Sequence, residues 1–407
     1  MNLRLVLACL LALAVGLPNA VISVAKALAV TSAIFILLWP APRGPADAAV
    51  ARLRTPLAVV VALGYLALSL FWTTVPSDEA LSALGKHGKL IIVPLLAVLL
   101  RTRREALIAL GWFAAAQILT VGSSWALALG LPVPWATSAE ARWDHSVFTN
   151  YLAQSIMTAV AAAVCWHLRG YLPRAWMRAL AAGVAVLGLG STLFLMPGRT
   201  GYVVAIAMVS LAVLWQLPAR LRPAGLLAPV LLGAGLLLAS PQLRDRVDLV
   251  RQESLAFASR SENQTSTGER LNYWHRSLQA IAERPLTGFG LGSFNQQYNR
   301  LDAGRGNPAT FVVRNPHQEF LLWGVEAGLG AVLVLCWLLL SLYRDLRLGE
   351  PAAARAGVSV LAALVISCMF NSTLFDATIG DFFCVVLGLL MALCLRTASP
   401  DPVGRPA

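Results

Sequence analysis

Charge is scarce in this 407-residue chain: Asp, Glu, Lys and Arg make up 13% of it, against 58% hydrophobic residues. A soluble domain carries about 25% charged residues, so the deficit excludes an ordinary water-soluble globule and points to a polytopic membrane protein. Cysteine is also sparse. Cys9, Cys165, Cys336, Cys368, Cys384 and Cys394 all fall in apolar stretches, which excludes a disulfide framework and a cysteine zinc site. The histidines show no metal-ligand spacing, and no Asp-x-Asp cluster occurs in the polar part of the chain. The run Gly288-Phe289-Gly290-Leu291-Gly292 lacks the Lys-Ser/Thr that completes a phosphate-binding loop, so its glycines read as a turn. No metal and no cofactor are expected. There is no internal repeat of roughly 20–50 residues and no low-complexity linker.

What is abundant is apolar sequence. A spanning helix needs about 17–25 such residues. Candidate stretches lie near 3–17, 20–39, 56–75, 88–100, 105–129, 148–168, 175–195, 200–217, 224–239, 316–343, 353–372 and 379–397. The expected fold is therefore an all-α polytopic membrane protein with about 12 transmembrane helices. Val6-Leu7-Ala8-Cys9 faintly resembles a lipoprotein cleavage site, but a second apolar stretch follows Pro18-Asn19 directly. Residues 1–17 thus read as a retained helix. The net charge of +12 invites a nucleic-acid partner, and its distribution argues against one. Arginines fill alternate loops: Arg4, then Arg43, Arg52 and Arg54, then Arg101, Arg103 and Arg104, then Arg169, Arg174 and Arg178, then Arg220 and Arg222, then Arg344, Arg347 and Arg355, then Arg396 and Arg405. That is a topology signal. It places both termini in the cytoplasm, and it leaves Arg142 and Arg199 as exceptions on the outer side.

The expected organisation is membrane helices 1–9 over residues 1–239, an outer polar loop over 240–315, helices 10–12 over 316–397, and a tail over 398–407. The loop, from Ser240 to Asn315, carries ten arginines and seven acidic residues. A membrane protein with one large folded loop tends to place its chemistry between that loop and the adjacent helix mouths. Within it, Ser266-Thr267-Gly268-Glu269 has capping-box spacing. A helix is expected to follow, with Leu271, Trp274, Leu278 and Ile281 on one face, ended by Pro285. Arg270 then sits in its first turn, where the helix dipole disfavours a cation. Such a placement makes sense where an anion binds.

His317 is the sharpest single candidate. With Asn315 as cap and Pro316 at the first helical position, it would open the tenth span, its ring kept neutral by the dipole and able to accept a proton. The plainer alternative is an interfacial histidine that anchors the helix. Arg199, in the short turn Met196-Pro197-Gly198-Arg199, can hold a phosphate together with nearby backbone amides, or simply contact phospholipid headgroups. Arg142 is a weaker case, because Glu140 and Asp144 can pair with it. Glu319 reads as a second base, a support for His317, or a packing residue; Arg314 is a further supporting candidate. His87, between Lys86 and Lys89, reads as a headgroup contact. Lys26, Asp376 and Asp381 are compatible with a transport path, although a transporter needs no base at one membrane face.

Together, Arg270-Leu271-Asn272-Tyr273-Trp274, Ile281, Pro285-Leu286-Thr287-Gly288-Phe289-Gly290-Leu291-Gly292-Ser293-Phe294, His317-Gln318-Glu319-Phe320-Leu321 and Gly328-Leu329-Gly330 form a pattern that resembles the O-antigen ligase and polymerase superfamily. The motif core covers residues 195–330. The resemblance implies a GT-C-like, membrane-embedded glycosyltransferase of the bacterial inner membrane, with its site facing the periplasm. It implies an undecaprenyl-diphosphate-linked glycan as donor and lipid A–core as acceptor. It also implies functional roles for Arg199, Arg270 and His317: the arginines on the diphosphate and the histidine as base. An O-antigen polymerase and a protein O-oligosaccharyltransferase share this logic.

Overall fold

The computed structural model describes residues 2–38, 49–225, 227–239, 241–259, 265–303 and 312–398. Ser240, where the polar loop is expected to start, the loop arginines Arg43 and Arg405, and residues 399–407 of the tail lie outside the described residues. The chain is an all-α polytopic membrane protein, and no strand occurs among the described residues. In chain order the main helices are α1 (Leu3–Ala14), α2 (Asn19–Leu38), α3 (Thr55–Leu68), α4 (Ser77–His87), α5 (Ile92–Leu99), α6 (Arg103–Ala128), α7 (Tyr151–Leu168) and α8 (Ala175–Gly190). They continue as α9 (Arg199–Gln216), α10 (Ala228–Ala239), α11 (Pro241–Ala258), α12 (Ser266–Glu283), α13 (Phe294–Asp302), α14 (Glu319–Leu346), α15 (Pro351–Phe370) and α16 (Ala377–Ala398). Among the described residues nine helical stretches are long and apolar enough to cross a membrane, and Leu3–Ala14 and Ala20–Ser32 are shorter apolar helices. The stretch expected at 224–239 forms α10, another short helix.

The core gathers around α16, whose side chains are almost all buried. It packs against α5, α15 and α6, while α7 packs against α8, α9 and α15. An ionisable group in such a bundle needs a partner. Lys26 and Asp381 supply one another, 2.7 Å apart. At the opposite end of α14, Asp345 accepts from the Arg54 and Thr55 amides at 2.8 and 2.7 Å, which caps α3.

The polar segment is tied to the bundle through a break in α14. Gly328 has φ +78 inside that helix, and the helical hydrogen bonds around it are lost. Unmet backbone groups in a membrane cost several kcal/mol, and the glycine-rich turn meets them. Phe289 N donates to Val325 O at 2.9 Å, Gly290 N to Glu326 O at 2.8 Å, and Leu329 N to Pro285 O at 2.8 Å. The amides of Gly292 and Phe294 bond the Glu326 carboxyl. On its other side the turn is stapled to the end of α3 by Trp72 Nε1 on Thr287 O, 2.9 Å, and Thr73 Oγ1 on Leu291 O, 2.8 Å. The position of α12 above the bundle follows from this splice.

Two local expectations change. The N-cap of α12 is Thr265, whose side chain accepts from Gly268 N, and not Ser266. The Thr267 amide is met by Glu253 Oε2 of α11 at 3.2 Å, so a carboxylate from another helix satisfies one of the first-turn amides of α12. The face of α12 turned inward carries Asn272, Tyr273, Ser277 and Ala280, while Leu278 is 58% exposed. The apolar stripe of the sequence lies to the side of this face, because the polar residues form the bonds that hold α12 to α13.

Candidate functional site

Arg199 opens α9, directly after a turn that must be tight. A Cβ on Gly198 would stand 2.5 Å from Ser155 Oγ of α7. Directly after α8 the chain is π-helical over Ser191–Leu195, a widening often found near functional sites. The Arg199 guanidinium, 32% exposed, donates from Nη1 to Thr267 Oγ1 at 2.8 Å and lies 3.5 Å from Glu253 Oε2. Thr267 Oγ1 in turn donates to Glu253.

Thr267, Arg270 and Tyr273 follow at three-residue spacing along α12, which places them on one face. Burial, then the charge of Arg199, hold the Arg270 guanidinium below its ordinary value. The Tyr273 ring lies 6.1 Å from the His317 ring, centroid to centroid. Asn272 donates to Tyr298 Oη and Asp302, and Arg276 pairs with Asp302 at 3.2 Å. Those bonds fix the rotation of α12 and hence the aim of Arg270.

His317 does not open α14. That helix begins at Glu319 with Gln318 as its cap, Gln318 Oε1 accepting from Leu321 N. His317 precedes it in the left-handed region, φ +51, a conformation that costs a non-glycine residue about 1–3 kcal/mol. It is held by its own amide on Asn315 Oδ1, 2.9 Å, and by Trp274 Nε1 on Pro316 O, 3.1 Å. Asn315 therefore caps a tight turn instead of the helix. The ring is neutral near pH 7, as expected, but for another reason than the dipole: burial, then the charge of Arg270, push its pKa down to about 4, against an opposing pull from Asp376.

The structure brings Arg199, Arg270 and His317 into one line across α12. Glu319 points away from it. Its carboxylate is buried and accepts from Trp323 Nε1 at 2.9 Å and Leu374 N at 2.8 Å, with His87 Nε2 at 3.5 Å. It fastens the start of α14 to the α15–α16 turn, which makes it a packing residue. Glu319→Gln is expected to cost about 1–3 kcal/mol of stability with the rate little changed, checked by thermal unfolding beside an activity assay. His87 is likewise fully buried, with Nδ1 at Ala83 O, 3.1 Å, and its ring edge on Trp323, and is no headgroup contact. Arg142 is exposed on the one-turn helix Ala141–Asp144. Asp144 takes the Ser146 amide and hydroxyl instead of pairing with it. Among the described residues no hydrogen bond or ion pair links Arg142 to the line. Arg314 is exposed, three residues before His317, within electrostatic reach of Lys86.

Four residues of this arrangement escape sequence reading: Glu253 and Thr267, which hold Arg199; Tyr273, against His317; and Asp376, which acts on His317 from the α15–α16 turn. Spacing by three from Arg270 is a signal for Thr267 and Tyr273. For Glu253 and Asp376 the sequence holds none, because one comes from another helix and the other from the distant α15–α16 turn. Among the described residues no group of three or more His, Cys, Asp or Glu side chains is placed to hold a metal ion.

No curated protein matches the chain. Residues 185–336 match the family model described as O-antigen ligase, a span that runs from the second half of α8 into α14 and contains Arg199, Arg270, the glycine splice and His317. Residues 185–336 are thus an O-antigen ligase family domain within this membrane protein.

Proposed function

We propose that the protein is an O-antigen ligase that moves polysaccharide from undecaprenyl diphosphate to the lipid A–core oligosaccharide, at the periplasmic face of the inner membrane. The observation that carries this reading is the line from Arg199 through Arg270 to Tyr273 and His317: two cations, then a neutral imidazole, all inside the matched segment. The donor diphosphate sits over Arg199 and Arg270, whose planar forks suit phosphate oxygens. An acceptor hydroxyl oxygen attacks the anomeric carbon and passes its proton to His317 Nε2 or Nδ1. The anomeric C–O bond to phosphate breaks, and the electron pair leaves on the diphosphate, where the arginines stabilise it. One displacement inverts the anomeric centre. The mechanism as proposed is metal-independent.

A histidine with a pKa of about 4 is a weak base, since a general base works best near the operating pH. The bound diphosphate remedies this. Its negative charge offsets Arg270 and raises the His317 pKa in the complex. The active form is the neutral ring, present above the pKa and lost below it. The acid limb of kcat/KM, which reports the free enzyme, is expected near the low value, and that of kcat at distinctly higher pH. Arg270→Gln removes the like charge and moves the kcat/KM limb upward. Coincident limbs in the wild type would argue against substrate-tuned histidine.

The function itself is tested by the lipopolysaccharide of a strain lacking the gene. Bare core, with long polymer accumulating on undecaprenyl diphosphate, is expected. Core bearing a single repeat unit would assign a polymerase instead, and an unchanged ladder would overturn both.

A further inference from the structure

α14 runs 28 residues from Glu319, about 40 Å, so the segment that follows it lies at the membrane face opposite His317, the face that the arginine-rich loops read as cytoplasmic. There α7, α9 and α15 enclose a cavity of about 240 Å³, lined in part by Arg169, Trp215 and Arg355. Beside it α9, α14 and α15 enclose a second, of about 340 Å³, lined in part by Arg347, Trp215 and Arg355. Trp215 and Arg355 line both, so the two cavities share a wall. The His167 ring meets Trp215 edge-on at 5.1 Å and has Ser359 Oγ 3.4 Å from its Nε2, which sets that wall in place. A third cavity shares Tyr343 and Arg347 with the second and extends it along Trp337 and Leu340. Leu340 is 62% exposed, so this extension opens toward the bilayer.

Among the described residues no carboxylate pairs with Arg169, Arg347 or Arg355. The acids nearest to them in sequence are engaged elsewhere: Asp345 by the Arg54 and Thr55 amides, and Glu350 by Arg103 at 3.2 Å. Arg169 lies over the Trp166 ring, 3.7 Å from its centroid, and Arg347 over Tyr343 at 5.5 Å, donating to its hydroxyl at 3.2 Å. These contacts orient both guanidinium groups without neutralising them, so the charge calls for anions from outside the protein. We infer that the joined cavities bind an anionic phospholipid with two phosphates, of the cardiolipin class. One phosphate lies between Arg169 and Arg355 and the other between Arg355 and Arg347, with the acyl chains descending along Trp337 and Leu340. A scattered topology arginine needs only the headgroup region at large. Here one shared guanidinium flanked by two others gives two anion positions side by side, of which a single-phosphate lipid fills one. Planar forks take phosphate oxygens in pairs, indole and phenol rings belong at headgroup depth, and basic pockets between membrane helices at this face suit such head groups. The site stands at the opposite face from Arg199, Arg270 and His317, so it does not depend on the glycosyl-transfer reading.

Native mass spectrometry of the purified, delipidated full-length protein, titrated with cardiolipin, phosphatidylglycerol or phosphatidylethanolamine, tests this. The wild type is expected to hold cardiolipin about tenfold or more tighter than phosphatidylglycerol, because the second phosphate adds charge-assisted pairs without a second association step. Phosphatidylethanolamine is expected to bind weakest. Arg347→Gln removes one anion position, so cardiolipin falls to within about twofold of phosphatidylglycerol, whose own binding barely changes because the separate Arg169 position remains. Arg355→Gln, which touches both positions, weakens both lipids. Arg220→Gln removes the same charge from the same face, is exposed, lines neither cavity and is expected to change neither lipid. Equal wild-type affinity for cardiolipin and phosphatidylglycerol overturns the proposal, as does cardiolipin binding that survives Arg355→Gln. A loss in Arg220→Gln equal to that in Arg355→Gln assigns the binding to general surface charge and also overturns it. Displacement of cardiolipin by inorganic phosphate at equal concentration assigns the cavities to a free anion, with the same consequence. Among the described residues Arg355 makes no hydrogen bond or ion pair, so thermal unfolding of Arg355→Gln without lipid is expected to match the wild type. Should that variant fail to fold, the Arg347→Gln pattern decides alone.

Discussion

Replacing His317 by alanine is expected to lower kcat by about 10²–10⁴-fold, the range for loss of a general base, while undecaprenyl diphosphate binding stays within about twofold. The separation follows from geometry. His317 lies at one end of the line, beyond Tyr273, whereas the diphosphate contacts belong to Arg199 and Arg270. Removing the imidazole takes away the proton acceptor and leaves the anion site intact. The backbone strain is unchanged, since alanine at φ +51 carries the same cost as histidine. The variant therefore folds, and its thermal transition should stay close to that of the wild type. Arg270→Ala gives the opposite split, with weaker donor binding and a smaller loss in kcat under saturation. Single-turnover transfer, together with a binding isotherm, separates the two patterns. Near-normal turnover in His317→Ala would remove it from the chemistry.

The second large effect concerns the splice. Gly290→Ala is expected to lose most of the folded protein. Gly290 has φ +92, and its Cβ would overlap the backbone of Thr73. The φ alone costs about 1–3 kcal/mol. The overlap adds to this, because Thr73 cannot retreat: its hydroxyl and the Trp72 indole are bonded to Leu291 O and Thr287 O. The turn would then leave the α14 break, and Val325 O and Glu326 O would lose their donors inside the bundle. Gly64→Ala is the control. Gly64 lies within α3, and its Cβ would meet no atom within 4 Å. Thermal unfolding in detergent and yield of monodisperse protein report the difference. Equal behaviour of the two variants would mean that the turn is not what anchors the polar segment.

Much of this molecule is readable from the order of its residues, and the boundary of that reading has a physical cause. Scarcity of charge and repeated apolar stretches determine an all-α membrane protein, because a bilayer admits only elements that satisfy their own backbone. The helix ended by Pro285, with Arg270 in its early turns, is likewise local. So is the pairing of a polar segment with a following histidine, since chain neighbours and three-residue spacings are properties of the sequence itself. The cap of α12 and the start of α14 are misplaced by one and three residues, because several side chains compete for the same amides. Glu253 wins one of those contests from another helix. Whether Glu319 supports His317 or packs against Leu374 cannot be read from a spacing of two, which says nothing about a turn 55 residues away. The burial that depresses His317, the Glu253 clamp on Arg199, and the arginine-lined cavities at the opposite face exist only once distant helices meet. Charge interactions and desolvation depend on distance in space, and only the tertiary structure supplies that distance.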